Sequence, residues 1–211
     1  MRLAAIATVL IVTSCGKDQS VSSNTRKVSV EAQDKMREDF EKDSPRWKFI
    51  AGTWTRRASG GSQVLAQTAA VDPWAIAILE DKRFADVDVS VRFRPISGNE
   101  DASGGIIFRA KDAKNYFLVR ANSLEDNFRL YTLVDGKRTT IASAKVDVPK
   151  LGEWHRLRVV ARGTKIQAYL NGKLQIDHED GTFGEGYVGL WTKADSVTEF
   201  DDLEIGGTPL K

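Results

Sequence analysis

The feature that most constrains this chain is the stretch from Gly104 to Ile141, where apolar and polar side chains alternate through successive short runs. Ile106 and Phe108 alternate with Ile107 and Arg109. Phe117, Val119 and Ala121 alternate with Tyr116, Leu118, Arg120 and Asn122, and Phe128, Leu130 and Thr132 alternate with Arg129, Tyr131 and Leu133. A period of two sends successive side chains to opposite faces of a strand, so each run has one face on a core and one face free. Asp135-Gly136 supplies the positive-φ pair of a two-residue hairpin, and Lys137 to Ile141 begins the return strand. The free face carries rings, an amide and several guanidinium groups. Aromatic faces beside forked donors suit a sugar ring with its hydroxyls, or an acidic sugar.

The same pattern recurs along most of the chain. Trp47 to Trp54 and Gln63 to Gln67 read as strands around the turn Ser59-Gly60-Gly61. Between Phe84 and Ile96 the alternation is clearest: Val87, Val89, Val91 and Phe93 point inward, and Asp88, Ser90, Arg92 and Arg94 outward. Trp154–Ala161, Lys165–Leu170, Lys173–Ile176, Gly186–Thr192 and Val197–Ile205 follow, with Asn171-Gly172 as a second hairpin signal. Roughly a dozen short strands with almost no helical period imply an all-β sandwich or closed barrel. The 31 basic and 29 acidic side chains leave a formal charge of only +2, which gives no case for nucleic acid. A single cysteine excludes an internal disulfide.

That cysteine, Cys15, follows Arg2 and an apolar run too short for an ordinary membrane span. Val12-Thr13-Ser14-Cys15-Gly16 resembles the bacterial lipobox, which implies a signal peptide over residues 1–14 and a lipidated Cys15 that anchors the protein to a bilayer. Gly16 is not the aspartate that tends to retain lipoproteins at the inner membrane, so the expected location is the cell envelope, at the outer membrane. Residues 15–44 are polar and charged and read as a flexible tether, with either a short helix or an extended lead-in around Met36 and Phe40. One folded domain is expected over residues 45–211.

The run ADVDVSVRFRPISG from Ala85, NYFLVRANSLEDN from Asn115, GEWHRLRVVARG from Gly152, AYLNGK from Ala168 and YVGLWTKADSVTEFDDLEI from Tyr187 together resemble one family. These are secreted bacterial jelly-roll proteins of concanavalin A-like, laminin G-like fold, filed with 3-keto-disaccharide hydrolase domains or loosely with family 16 glycoside hydrolases. The resemblance implies a two-sheet antiparallel sandwich with one concave sheet, containing the strands at Gln63–Thr68, Gly104–Arg109, Tyr116–Asn122, Asn127–Leu133 and Tyr187–Thr192. Outward parity then collects Gln67, Arg109, Tyr116, Arg120, Asn122, Arg129, Tyr131, Tyr187 and Trp191, and leaves Arg92, Arg94, Arg156 and Arg158 on the convex sheet.

Three functional classes follow. In the first, the concave face binds a saccharide: Trp191 and Tyr116 stack on rings, and Gln67, Arg109, Arg120 and Asn122 hydrogen-bond hydroxyls or a carboxylate. The competing reading of the same residues pairs Arg109 and Arg120 with Glu125, Asp126 or Asp195. In the second, the domain is a glycoside hydrolase acting on 3-keto-disaccharides or related glycosides. The E-x-D-x-x-E strand motif of family 16 is absent, which leaves Glu125 and Asp126 in one turn as candidate catalytic carboxylates, with Glu100 and Asp101 in another. The third is a non-catalytic adhesion module of the envelope. No cofactor is implied beyond a structural calcium, for which Asp202, in an expected bulge Phe200-Asp201-Asp202-Leu203, is the candidate ligand. Asp177-His178-Glu179-Asp180 reads as an exposed loop and His155 as a packed or surface histidine.

Overall fold

The structure, a computed structural model, describes residues 34–210; Cys15, the signal-like segment and most of the expected tether lie outside them. The strands are β1 (Asp34–Glu38), β2 (Trp47–Ala51), β3 (Trp54–Ser59), β4 (Ser62–Gln67), β5 (Val71–Ser97), β6 (Ser103–Asp112) and β7 (Asn115–Asn122), then β8 (Asn127–Val134), β9 (Lys137–Lys145), β10 (His155–Arg162), β11 (Lys165–Leu170), β12 (Lys173–Glu179), β13 (Gly186–Ala194) and β14 (Val197–Pro209). No helix occurs among the described residues. The fold is an all-β antiparallel sandwich.

β5 joins the two layers. Its first half pairs with β2 and β13, as at Ile78↔Lys48 and Ile78↔Gly189. Its second half pairs with β10 and β14, as at Val89↔Val159 and Val89↔Ile205. Between them Glu80 to Arg83 are exposed, and there the strand leaves one sheet for the other, a corner that lets one strand serve two packed sheets. One sheet therefore runs β2-β5-β13-β6-β7-β8-β9. The other runs β12-β11-β10-β5-β14, with β1 and the β4–β3 hairpin both on the outer edge of β14.

The inward sets converge as their alternation requires. Val87, Val89, Val91 and Phe93 meet Ile106, Phe108, Phe117, Val119, Phe128 and Leu130 in one buried core, with Leu157, Val159, Leu190 and Phe200. Both hairpins have the expected backbone: φ is 51° at Asp135 and 80° at Gly136, and 50° at Asn171 and 81° at Gly172. The bulge in β14 is present too, as a register shift between Asp201 and Glu204 with Asp202 at φ 48°.

Three expectations require correction. The fold starts before Pro45, because β1 pairs with β14 from Asp34↔Gly207 to Glu38↔Leu203, and Glu38 and Phe40 are buried. Of the two readings left open around Met36 and Phe40, the extended one holds, with Met36 on β1. The Gln63–Thr68 run does not belong to the concave sheet: β4 pairs with β3 and β14 in the opposite layer. Its place in the concave sheet is taken by Val71 to Leu79, whose Ala75-Ile76-Ala77-Ile78-Leu79 core is buried on both faces and so shows no alternation. Finally, Asp177 to Glu179 continue β12 rather than forming a loop.

Candidate functional site

The free face of the β2–β9 sheet holds a second apolar cluster, separate from the inter-sheet core. Ile76, Ile78, Ile107, Leu118, Tyr116, Tyr131, Leu133 and Trp191 compose it, with Trp74 and Tyr187 packed against it and partly exposed. Cross-strand register explains the assembly. Ile78, Gly189, Ile107, Leu118 and Tyr131 form one row across five strands, and Ile76, Trp191, Gly105, Arg120 and Arg129 form the next.

This face is concave. Trp74 on β5 and Arg138 on β9 are five strand steps apart, about 24 Å on a flat sheet. Yet the Arg138 guanidinium carbon lies 5.3 Å from the Trp74 ring, 4.8 Å from Tyr131 and 5.9 Å from Trp191. Only strong curvature brings these side chains into contact. Arg138 and Trp74 meet across the groove, while Trp191, Tyr116, Ile107 and Leu118 beneath are fully buried. The two rings expected to stack on sugar are therefore floor, and the partly exposed rings of this face are Trp74 and Tyr187.

One end of the groove is ionic. Arg120, 3 % exposed, donates from Nη1 and Nη2 to Glu125 Oε2 at 3.1 and 2.9 Å, and from Nη1 to Asn127 Oδ1 at 3.1 Å. Asn127 Nδ2 donates to the same Glu125 oxygen at 2.8 Å. Buried Asp101 lies 3.7 Å from Arg120 and 3.4 Å from Lys193. Burial would raise the Glu125 carboxyl, but Asn127, Arg120 and the more distant Arg129 and Lys193 outweigh it and hold the group below the usual range. Asn122, buried on the same face, uses Oδ1 to accept from the Ala102 and Leu124 N–H groups. Its Nδ2 has no partner, and neither have Arg120 Nε, Tyr116 Oη, Trp191 Nε1 or Arg138 Nη1. Burial pushes the Tyr116 hydroxyl well above its ordinary pKa; the nearby Trp191 N–H and the Arg138 charge oppose that without reversing it. Each unpaired buried polar atom costs on the order of 1–3 kcal/mol until something meets it.

Of the six residues expected to bind a saccharide, Tyr116, Arg120, Asn122 and Trp191 share this face, and two do not. Gln67 lies in the other sheet, fully buried, with its amide closed onto the backbone of Ala69 at 2.6 and 2.7 Å. Arg109 sits at φ 50° in a β6 bulge that turns it off the face. Its guanidinium donates to the carbonyls of Ala85, Gly163 and Phe183 at 2.9, 2.7 and 3.2 Å, and lies 3.7 Å from Asp86. Burial lowers its pKa, against the pull of Asp86. Arg109 is a tie between strand ends and has nothing left for a ligand.

The other candidates are equally committed. Glu125 is held by Arg120, and Asp126 is exposed beside Lys145 at 3.2 Å. A carboxylate kept ionised by a guanidinium is a poor proton acceptor, which weakens the catalytic role considered for this turn. Asp202 is paired through Oδ1 with Arg37 at 2.7 Å and through Oδ2 with Arg92 at 3.0 Å, so both its oxygens are engaged. Among the described residues no three His, Cys, Asp or Glu side chains converge to hold a metal. His155 is packed, bonded to the Lys150 carbonyl and to Asn171. Arg92 and Arg94 lie on the convex sheet as expected, but not as ordinary solvated charges: both lie over Trp154, Arg92 pairs with Asp202 and Arg94 with buried Glu199. Sequence reasoning missed Trp74 and Arg138. Trp74 follows Pro73 in the strand whose alternation is hidden, and Arg138 begins a return strand read only as a hairpin arm.

Fold and groove together define a concanavalin-like jelly roll, the architecture of many lectins and glycoside-hydrolase modules. A family model described as the 3-keto-alpha-glucoside-1,2-lyase-like domain matches residues 35–206, and the chain belongs to that family. A levanase of Bacillus subtilis (strain 168) is 28 % identical over 153 residues, which cover 68 % of this chain and 20 % of the levanase; the chain thus spans about a fifth of that relative's length. Among solved structures, the carbohydrate-binding module CBM66 from Bacillus subtilis superposes with a TM-score of 0.65 at 24 % identity, covering 75 % of this chain and 94 % of the module. A putative glycosyl hydrolase from Parabacteroides distasonis gives 0.59 at 14 % identity, covering 82 % and 100 % of the two chains. The exoplasmic/lumenal domain of VIP36, bound to Ca2+ and Man3GlcNAc, gives 0.58 at 11 % identity, covering 79 % and 86 %.

Proposed function

We propose that this chain is a saccharide-binding domain whose ligand lies in the concave groove of the β2–β9 sheet. The observation that carries the reading is the ionic end of that groove. Arg120 is locked by Glu125 and Asn127 on the same concave face that carries the partly exposed Trp74, so hydrogen-bonding groups of fixed direction and an accessible ring share one groove. Support comes also from the likeness to a levanase segment and to a carbohydrate-binding module. Binding is favoured over turnover because Glu125 Oε2 is already taken up by Arg120 and Asn127, and over adhesion to protein because the large exposed apolar side chains are spread over many elements, among them Phe49, Leu124, Val134, Leu151 and Leu174. The same proposal has the domain hanging from a lipidated Cys15 at the outer membrane.

A glycan screen on the purified chain, read both for binding and for released product and including 3-keto-disaccharides, tests it. Binding that is lost in Arg120→Ala and in Trp74→Ala, without product, is the expected result. Product release would replace the binding reading with an enzymatic one, and retention of binding in both variants would place the ligand elsewhere. Incorporation of labelled fatty acid that persists in Cys15→Ser would sink the anchor.

A further inference from the structure

The groove is built with more positive charge than its own carboxylates can use. Arg120, Arg129, Arg138 and Lys193 face it against Asp101 and Glu125, and both carboxylates are already engaged by Arg120, with Asp101 also facing Lys193. Among the described residues Arg129 makes neither a side-chain hydrogen bond nor an ion pair and acts on Glu125 only at a distance, although it stands directly across the β7–β8 ladder from Arg120. Like charges directly opposed in a sheet are destabilising, so stability alone does not account for that pair. Among the described residues Arg138 is held by the faces of Trp74, Tyr131 and Trp191, and its Nη1 is buried with no acceptor. The two unpaired guanidiniums flank one ring: Arg138 lies over Tyr131, which is two residues from Arg129 on the same face of β8. The acidic groups near the ionic end do not redress the balance. Asp72, Glu100 and Asp195 line a separate pocket, and Asp195 accepts the N–H groups of Asn99, Glu100 and Asp101.

Resting on the saccharide reading above, we infer that the ligand is an acidic saccharide, one whose sugar units carry a carboxylate, received by Arg129 and Arg138 on either side of Tyr131. Guanidinium and carboxylate match as forked donor and paired acceptor, and Arg129 and Arg138 are both only partly buried. Confinement of several like charges in one groove also raises the local concentration of anionic ligands. Trp74 remains the partly exposed ring against which a sugar ring packs.

The test is a set of uronate oligosaccharides, each paired with its methyl ester so that backbone and linkage are constant. Oligogalacturonides, mannuronate and guluronate oligomers and hyaluronan oligosaccharides are titrated into the full chain, beside neutral glucans and fructans. Polyglutamate serves as a sugar-free polyanion. At least one acid form is expected to bind about tenfold or more tighter than its ester, with a similar loss in Arg129→Gln and in Arg138→Gln. Thermal unfolding of both variants at the parental temperature excludes misfolding as the cause. Equal binding of acid and ester, or polyglutamate binding as tightly as the sugars, would overturn the inference. Binding confined to neutral sugars would overturn it while leaving the saccharide reading intact, and no binding to any sugar would remove both.

Discussion

Arg109 offers the sharpest separation between what its residue type invites and what its surroundings impose. At 1 % exposure its guanidinium supplies hydrogen bonds to three carbonyls from separate segments, those of Ala85, Gly163 and Phe183. Arg109→Met keeps the apolar stem and removes the donors. A hydrogen bond from a charged donor contributes roughly 1.5–3 kcal/mol, so the three together would reach about 4–9 kcal/mol before correction. Two corrections reduce this. Desolvating the guanidinium already offsets part of the gain, and the Gly163 carbonyl belongs to an exposed turn that water can serve. A net loss of about 3 kcal/mol remains. With a urea m-value of about 2 kcal/mol/M, the unfolding midpoint should fall by about 1.5 M. Arg109→Lys, able to reach one carbonyl as a point charge, should recover a minority of that loss. Saccharide affinity per folded molecule should be unchanged in both variants. A midpoint within about 0.3 M of the parent, or a loss of affinity with stability intact, would refute the reasoning and return Arg109 to the ligand.

Three further outcomes are expected. Glu199, 2 % exposed, is held by Arg57, Arg94 and Ser59; burial would raise its carboxyl, but these partners outweigh it and hold the pKa low. A depressed folded pKa contributes stability above the unfolded value of about 4.3 that is lost as pH falls through the folded value, so Glu199→Gln should cost about 2–4 kcal/mol at neutral pH and visibly less below pH 4, by urea titration across pH. In Arg120→Gln the Glu125 carboxyl should titrate at higher pH than in the parent, as followed by carbon-13 NMR, because burial then acts with less opposition. Gly189→Ala should lower stability by about 2 kcal/mol or more, read by calorimetry, since its Cβ would lie 2.4 Å from the Ala77 carbonyl oxygen in the adjacent strand.

The layering of the sandwich was legible because burial on one face writes itself as alternation, as in Val87 to Phe93 and in Phe117 to Asn122. Where a strand is buried on both faces the signal disappears, and Ala75 to Leu79 went unread for that reason. Sheet membership was legible only in part. β4 carries Val64, Leu65 and Ala66 in succession and is buried on both faces, and its partners Thr198 to Phe200 lie far along the chain, where no local pattern names them. Parity failed at Arg109 because a bulge shifts register between Phe108 and Asp112. At the site, outward parity put Arg120 and Trp191 on one face, where the structure also has them, with Gly105 between them. It could not show that curvature makes Trp191 a floor, since that depends on Arg138 arriving from four strands away. The Arg120–Glu125 pair, by contrast, is local in sequence and was foreseen as the competing reading.

β1 has a mechanical consequence. It is the first described strand and it lies along the outer edge of β14, joined through the rungs Asp34↔Gly207, Lys35↔Gly206, Met36↔Ile205, Arg37↔Glu204 and Glu38↔Leu203. Any pull on the domain from its N-terminal side enters through this ladder. Antiparallel hydrogen bonds run perpendicular to the strands, so a pull along the strand axis loads all the rungs at once, whereas a pull across it breaks them singly. The direction from which the domain is held therefore decides whether β1 acts as a lock or as a tear strip.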